Sequence, residues 1–391
     1  MQLIRTVSLF LLFSIGAAGY VSAKIISIPF KLRDDHIFIK LFNNEGHAYD
    51  FIFDTGAEGT IFDVNTANKH GIEAKKVTEV ITANGKSKLG YASKQYLKID
   101  RDTELRKLHF ILHDLSHLNA DGVIGYDILN RFTVKIDYIN KQLIITSRLR
   151  DFDLTSFKPI AFKFDKAAIP VINATIVLAS GENLTSSVLV DTGAGLTIMI
   201  GNQFFEEHDL KTKFPKVLTS SSHGLSKRSE TKISRIAAFK INSFELDEMP
   251  VRISTNNTGV FSDREGYLGI LGNVILSRFD IVLDYRSKQI YLKENANYNN
   301  SFEFPTRGFK LKRHSNDVLI SSIIMESEAY EAGLSQGDRV VSINGNDSND
   351  IATYNKILKK NQSGIIIVVS SALTGDLLET DLKNRDIFDS N

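Results

Sequence analysis

The chain contains no cysteine. That excludes disulfides, thiolate metal sites and lipid attachment at Cys, so its stability rests on ordinary apolar cores. It also lacks a charge of one sign: 47 Lys and Arg against 46 Asp and Glu leave a net charge of +1. Such a balance gives no general pull toward nucleic acid or an anionic membrane, and the lysines are dispersed with no basic stripe. Beyond residue 23 no apolar run is long enough to span a bilayer. The phosphate loop with its Lys-Ser/Thr, the dinucleotide fingerprint and the nucleophile elbow are missing. His109, His113 and His117 recur every four residues, but "KLHFILHDLSH" begins with the alternation of a strand, so the three would not converge on a metal. No metal and no cofactor are expected.

What is present begins with a distinct N-terminus. Arg5 leads into the apolar run "TVSLFLLFSIGAAGYVSA", too short and too Gly/Ala-broken for a comfortable transmembrane helix. The run ends on Val21-Ser22-Ala23, small enough for a signal peptidase. Residues 1–23 therefore read as a secretory signal cleaved near Ala23, with an uncleaved anchor as the other reading. After cleavage no stable membrane insertion is expected. A cysteine-free exported chain points to a secreted or periplasmic protein of the bacterial cell envelope.

The whole chain, 391 residues at 42% hydrophobic, is long enough for two or three domains. Short alternating runs such as "HIFIKLF", "YDFIFD", "FTVKID" and "QLIIT" are strand signals, with helical pieces near 63–70 and 126–131. A second block repeats the first. "VIGYDILNRFTVKIDYINKQLII" (123–145) aligns without gaps on "ILGNVILSRFDIVLDYRSKQIYL" (270–292), a shift of 147. This predicts a mostly-β protein with two related lobes at 24–150 and 151–298, and a smaller unit at 302–391. Polar linkers are expected at 147–153 and 294–301.

One tripeptide recurs with chemical consequence. "FIFDTGAEGTIF" (51–62) and "VLVDTGAGLTIM" (188–199) each run apolar strand into Asp-Thr-Gly-Ala. Burying a carboxylate at a strand end is unfavourable, and two such placements suggest a use. If the blocks pack about a pseudo-two-fold axis, Asp54 and Asp191 meet. Two carboxylates in contact cannot both be charged cheaply, so one pKa rises and the pair shares a proton. Such a pair can hold a water, deprotonate it for attack on an amide, and protonate the product.

The pattern Asp54-Thr55-Gly56-Ala57 with Thr60, and Asp191-Thr192-Gly193-Ala194 with Thr197, resembles the aspartic proteases of the retroviral and pepsin type. Val123-Ile124-Gly125 and Ile270-Leu271-Gly272 match that family's apolar-apolar-Gly signature beneath the catalytic turn. The resemblance covers about 24–298. It implies two retropepsin-like β-barrel lobes forming a pepsin-like cleft, catalysis by Asp54 and Asp191, and support from the Thr, Gly and Ala that follow each. It also implies two flaps that contact substrate, at Ala83-Asn84-Gly85 and Ser222-His223-Gly224, with the two glycines at the tips. The chain departs from the pepsin pattern in having no Tyr beside the flap tip, the nearest being Tyr91. It departs from the retroviral pattern in carrying Glu58-Gly59 and Gly195-Leu196 where two acids follow the motif.

The C-terminal unit has a resemblance of its own. "RGFKL" (307–311), "AGLSQGDRVVSING" (332–345) and "ATYNKILKK" (352–360) are similar to a PDZ domain, a small α+β fold. That implies capture of a peptide C-terminus at Arg307-Gly308-Phe309, with the peptide added beside Phe309–Leu311 and facing Tyr354 and Leu358. The whole reads as an exported aspartic endopeptidase acting on peptides or proteins, its PDZ domain holding a substrate or partner C-terminus. The reading from another class is a latent or inactive peptide-binding envelope protein with the same folds.

Overall fold

The computed structural model describes residues 24–82, 85–223, 228–255, 264–304, 306–360, 364–384 and 386–388. The expected signal at 1–23 and the flap positions Ala83, Asn84 and Gly224 lie outside these residues. The molecule is mostly β. In its first half the strands are β1 (Ile26–Arg33), β2 (His36–Phe42), β3 (Ala48–Phe53), β4 (Ile61–Asp63), β5 (Lys76–Thr82), β6 (Gly85–Lys98), β7 (Glu104–His113), β8 (Gly122–Ile124), β9 (Thr133–Asp137) and β10 (Gln142–Thr146). Phe51, Ile52 and Phe53 are all buried because β3 lies inside the sheet, between β2 and β8. Asp63 ends β4 and caps the short helix Val64–Lys69, accepting from the Thr66 amide at 2.8 Å.

The second half contains β11 (Lys158–Ala161), β12 (Lys163–Phe164), β13 (Pro170–Val177), β14 (Asn183–Val190), β15 (Ile198–Ile200), β16 (Leu218–His223), β17 (Arg228–Ile236), β18 (Ala238–Ile241), β19 (Phe244–Leu246), β20 (Met249–Ser254), β21 (Tyr267–Leu271), β22 (Phe279–Asp284) and β23 (Gln289–Glu294). Its order β13-β14-β21-β15-β20-β17-β16 mirrors β2-β3-β8-β4-β7-β6-β5 of the first half. The parallel pairs fall at the same places, β3 with β8 and β14 with β21, β4 with β7 and β15 with β20.

The halves join through β9 and β22, which pair antiparallel. Lys135 lies opposite Val282, and 135 plus the repeat shift of 147 is 282. A residue paired with its own counterpart marks where a local two-fold axis crosses the sheet. One hydrophobic cluster runs through both halves, from Ile26 to Phe302.

The C-terminal unit adds β24 (Phe309–His314), β25 (Asp317–Ile324), β26 (Arg339–Ile343), β27 (Gly364–Ser370) and β28 (Leu377–Lys383), with a helix at Ile351–Lys360. It has a core of its own, including Phe309, Ile320, Tyr354 and Ile367. It is nevertheless not a bead on a string. One edge of β25 pairs with β24, and the other pairs with β16, Ser221 opposite Ile323. Leu218 and Ile233 of the second half cluster there with Ile324, Ile387 and Phe388.

The polar stretches differ from free linkers. Arg278 donates to the carbonyls of Asn297, Tyr298 and Ser301 and stacks on Phe302 at 3.6 Å, so 294–301 is pinned to the second half. At the other junction Arg148 and Thr146 both reach Asp151. Asn and Asp residues break strand periodicity, but here their backbone and side chains find fixed partners.

Candidate active site

Strands β3 and β14 deliver Asp54 and Asp191 to facing turns. Each turn hangs from a strand of its own half: the Asp54 amide donates to the Ile124 carbonyl at 3.1 Å, and the Asp191 amide to that of Leu271 at 3.0 Å. The threonines tie the turns across the axis. Thr55 Oγ1 donates to the Val190 carbonyl at 2.7 Å and accepts from the Thr192 amide at 3.0 Å. Thr192 Oγ1 donates to the Phe53 carbonyl at 2.9 Å and accepts from the Thr55 amide at 3.0 Å. Both threonines are about fully buried, at 1% and 0% exposure, so each bond is shielded from water.

This lock sets the carboxyls against each other. Gly56 and Gly193 donate their amides to Asp54 and Asp191 at 2.6 and 2.8 Å. A Cβ built on Gly56 would lie 2.5 Å from Cγ of Asp191, so glycine is needed for the approach. The two carboxyls hydrogen-bond each other. Burial pushes both above the ordinary carboxylate value. Asp191 is raised furthest because the charge of Asp54 beside it adds to burial, whereas the bond from Asp191 favours the charged form of Asp54. The two carboxyls therefore titrate as a pair and keep one proton between them above the ordinary carboxylate range.

Ala57 and Ala194 serve by their backbone. Their carbonyls accept from the Tyr126 and Asn273 amides at 2.9 and 2.7 Å, and Gly125 and Gly272 pass directly beneath. Thr60 donates to Asp127 at 2.9 Å, whereas Thr197 donates to the Pro250 carbonyl.

The structure also brings in residues that sequence reasoning missed. The β1–β2 turn at Asp34-Asp35 has positive φ at both residues, a two-residue hairpin turn. It reaches the opposite half: a Cβ on Gly195 would meet the Asp34 carbonyl at 2.5 Å and His36 Cε1 at 2.9 Å. Asn273 Nδ2 donates to the Asp35 carbonyl at 2.7 Å and its Oδ1 accepts from the buried Tyr138 hydroxyl. Tyr285, the counterpart of Tyr138, packs on Tyr126 and Phe164, and its hydroxyl has no partner among the described residues. The Asp-Tyr shared by both repeats was the available signal for these tyrosines.

Hairpins β5–β6 and β16–β17 occupy the flap positions. Thr82 pairs with Gly85, so Gly85 opens the returning strand β6. In the second hairpin Ser222 and His223 end β16, and His223 pairs with Arg228. In the C-terminal unit β24 pairs only with β25, leaving its other edge toward the helix Ile351–Lys360. Gly308 (φ +75°) precedes that edge, and its carbonyl is taken by the Ile324 amide at 2.7 Å. Leu311 and Leu358 are partly buried on the unit's core. Tyr354 is fully buried, with its hydroxyl accepting from the Asn349 amide at 3.1 Å. It supports the helix from inside, contrary to the expectation that it lines a groove. Arg307 is also buried and donates to the Leu382 carbonyl.

Among known families, the model of the gag-polyprotein putative aspartyl protease matches residues 42–131. No curated protein matches the chain. The matched span runs from the end of β2 through the Asp54 turn to just past β8. The first half therefore carries an aspartyl protease-type domain.

Proposed function

We propose that this chain is an aspartic endopeptidase whose two halves each supply one carboxyl of a proton-sharing pair. The observation that carries the reading is the crossed Thr55–Thr192 lock, which holds Asp54 and Asp191 in hydrogen-bond contact. A water seated between the carboxyls loses a proton to Asp54 as its oxygen attacks the peptide carbonyl. Asp191 donates its hydrogen bond, then its proton, to the carbonyl oxygen, giving a neutral tetrahedral diol. On collapse Asp54 passes its proton to the departing amine nitrogen, and the diol returns one proton to Asp191. No covalent intermediate forms, and every proton is accounted for within the pair and the water.

The same topology in both halves supports a pair of retropepsin-like lobes, with hairpins β5–β6 and β16–β17 as flaps over an extended substrate. The C-terminal unit is read as a PDZ-like module that binds the C-terminus of a substrate or partner along β24 and raises its effective concentration at the cleft. An exported protein of the bacterial envelope fits the N-terminal segment and the lack of cysteine.

Pairing of β16 with β25 favours one variant of this reading, in which the C-terminal unit holds the second flap and the enzyme is latent until a peptide occupies it. The experiment is digestion of a diverse peptide library by residues 24–391, between acidic and neutral pH, with Asp54→Asn and Asp191→Asn controls. Each substitution should lower cleavage by roughly 10²–10⁴-fold. Variants that cleave as well as wild type overturn the assignment. A wild type that cleaves only when a C-terminal peptide is added supports latency.

A further inference from the structure

The walls of the cleft are not equivalent. In the first half, Ile61 pairs with Ile111 and with Val123 on the sheet face that carries Ala57 of the catalytic turn. A Cβ on Gly59 would lie 3.8 Å from Ile111 Cδ1, which sets this side chain against the loop that follows Asp54. In the second half Met199 pairs with Ile270, as Ile61 does with Val123, and its neighbour on β20 is Arg252. Arg252 thus stands where the first half has Ile111.

Its surroundings are unusual for a structural arginine. Met249, Val251 and Ile253, on alternate sides of it along β20, are buried in the main core, so Arg252 projects from the opposite face of the sheet. It is only partly exposed and makes no hydrogen bond or ion pair among the described residues. Crowding by protein disfavours its charge, and no carboxylate offsets that. A second cation, Lys310 at the start of β24, has its pKa pushed down to about 8, by burial first and then by the charge of Arg252, although more than a third of its surface is open to solvent. The nearby acids Asp34, Asp35 and Glu303 act on Lys310. Arg252 is left as a crowded guanidinium, reached by water and without a protein partner for its donors among the described residues, beside the strand that leaves the Asp191 turn.

We propose that Arg252 is a specificity-determining residue that selects peptides with an Asp or Glu side chain near the scissile bond, on the side bound by the second half. The proposal rests on the cleft being a peptide-binding one. A planar guanidinium fork matches a carboxylate in bidentate fashion, and the protein crowded around it strengthens the pairing. A neutral isostere would leave the guanidinium unpaired. Ile111 across the cleft makes no such demand, so the acidic requirement falls on one side only and gives the substrate a direction.

The test uses a decapeptide substrate of the full chain, resynthesised with Glu, Gln or Leu at each of four positions either side of the scissile bond. At one position Glu should exceed Gln in kcat/KM by roughly tenfold or more at low salt, as a hydrogen bond between charged groups allows. The ratio should fall with added salt, approach one in Arg252→Ile, and be partly kept in Arg252→Lys. The same peptides with a reduced –CH2–NH– bond, titrated by fluorescence anisotropy, read affinity without cleavage. A Glu preference in binding with no cleavage by wild type keeps this inference and sinks the protease reading. Cleavage with no acidic preference at any position, or a preference that survives in a folded Arg252→Ile protein, overturns the inference and leaves the protease reading standing.

Discussion

Thr55 and Thr192 join four backbone groups of two strands that are 137 residues apart in sequence, and each hydroxyl both donates and accepts. Replacing Thr55 by Val keeps shape but strands the Val190 carbonyl and the Thr192 amide in a dry interior. The expected loss is about 1–3 kcal/mol in denaturant melts, with a larger proportional loss of peptidase activity as the carboxyls drift apart. The carboxyls make a second prediction. Asp191 keeps its proton in the folded state to a pH above the 3.8 at which the unfolded chain releases it. The folded form therefore binds more protons across that window, and its stability falls as pH rises through it. Asp191→Asn should melt at a higher temperature than wild type near neutral pH. That advantage should vanish below the ordinary carboxylate range, where both are neutral at this position.

At the scale of elements, the hairpins, short helices and internal repeat were legible because their signals are local. Alternating apolar residues and Asn, Gly and Asp turns set strand ends, and the gapless match of 123–145 on 270–292 fixed which strands correspond. The carboxyl pair was legible too, through "DTGA" twice. What sequence did not carry are contacts made by backbone or by tertiary proximity. The Asp34-Asp35 turn reaches Gly195 through carbonyls, and pairing of β16 with β25 needs only two free strand edges. Arg252 reads in sequence as one cation of many, because its place depends on the register of β15 with β20. The junction of β16 and β25 has a consequence of its own. Phe388 is 2% exposed in the cluster that seals it, against Phe304 at 6.0 Å. Phe388→Ala should cost about 3 kcal/mol locally. Hydrogen exchange at the amides of 220–222 should quicken, while amides of β9 and β22 remain protected.

Over the whole molecule, one core and one shared sheet bind the halves, so the pair of turns is a property of the assembled chain. The axis falls on Lys135 opposite Val282, a position where a symmetric dimer of first halves would set Lys against Lys. Like charges directly opposite in a sheet are unfavourable, and the fused chain avoids this by using Val on one side. Val282 is fully buried. Val282→Lys should therefore destabilise the chain by about 3–5 kcal/mol in urea melts, with Val282→Ile close to wild type. The same departure from symmetry recurs beside the catalytic turns, where Arg252 of the second half stands at the register position of Ile111 in the first. Both make the two halves chemically different, as two identical subunits could not be.

The proposed chemistry requires Asp54 and Asp191 to share one proton. Carboxyl-carbon NMR on protein labelled at aspartate Cγ, titrated from acid to neutral pH, measures this directly, with Asp54→Asn and Asp191→Asn used to assign the two signals. The pair should lose its protons in two separate steps, the second well above 3.8, and the upper step should disappear in either variant. Two carboxyls titrating independently near 3.8, each unchanged by substitution of the other, would contradict it.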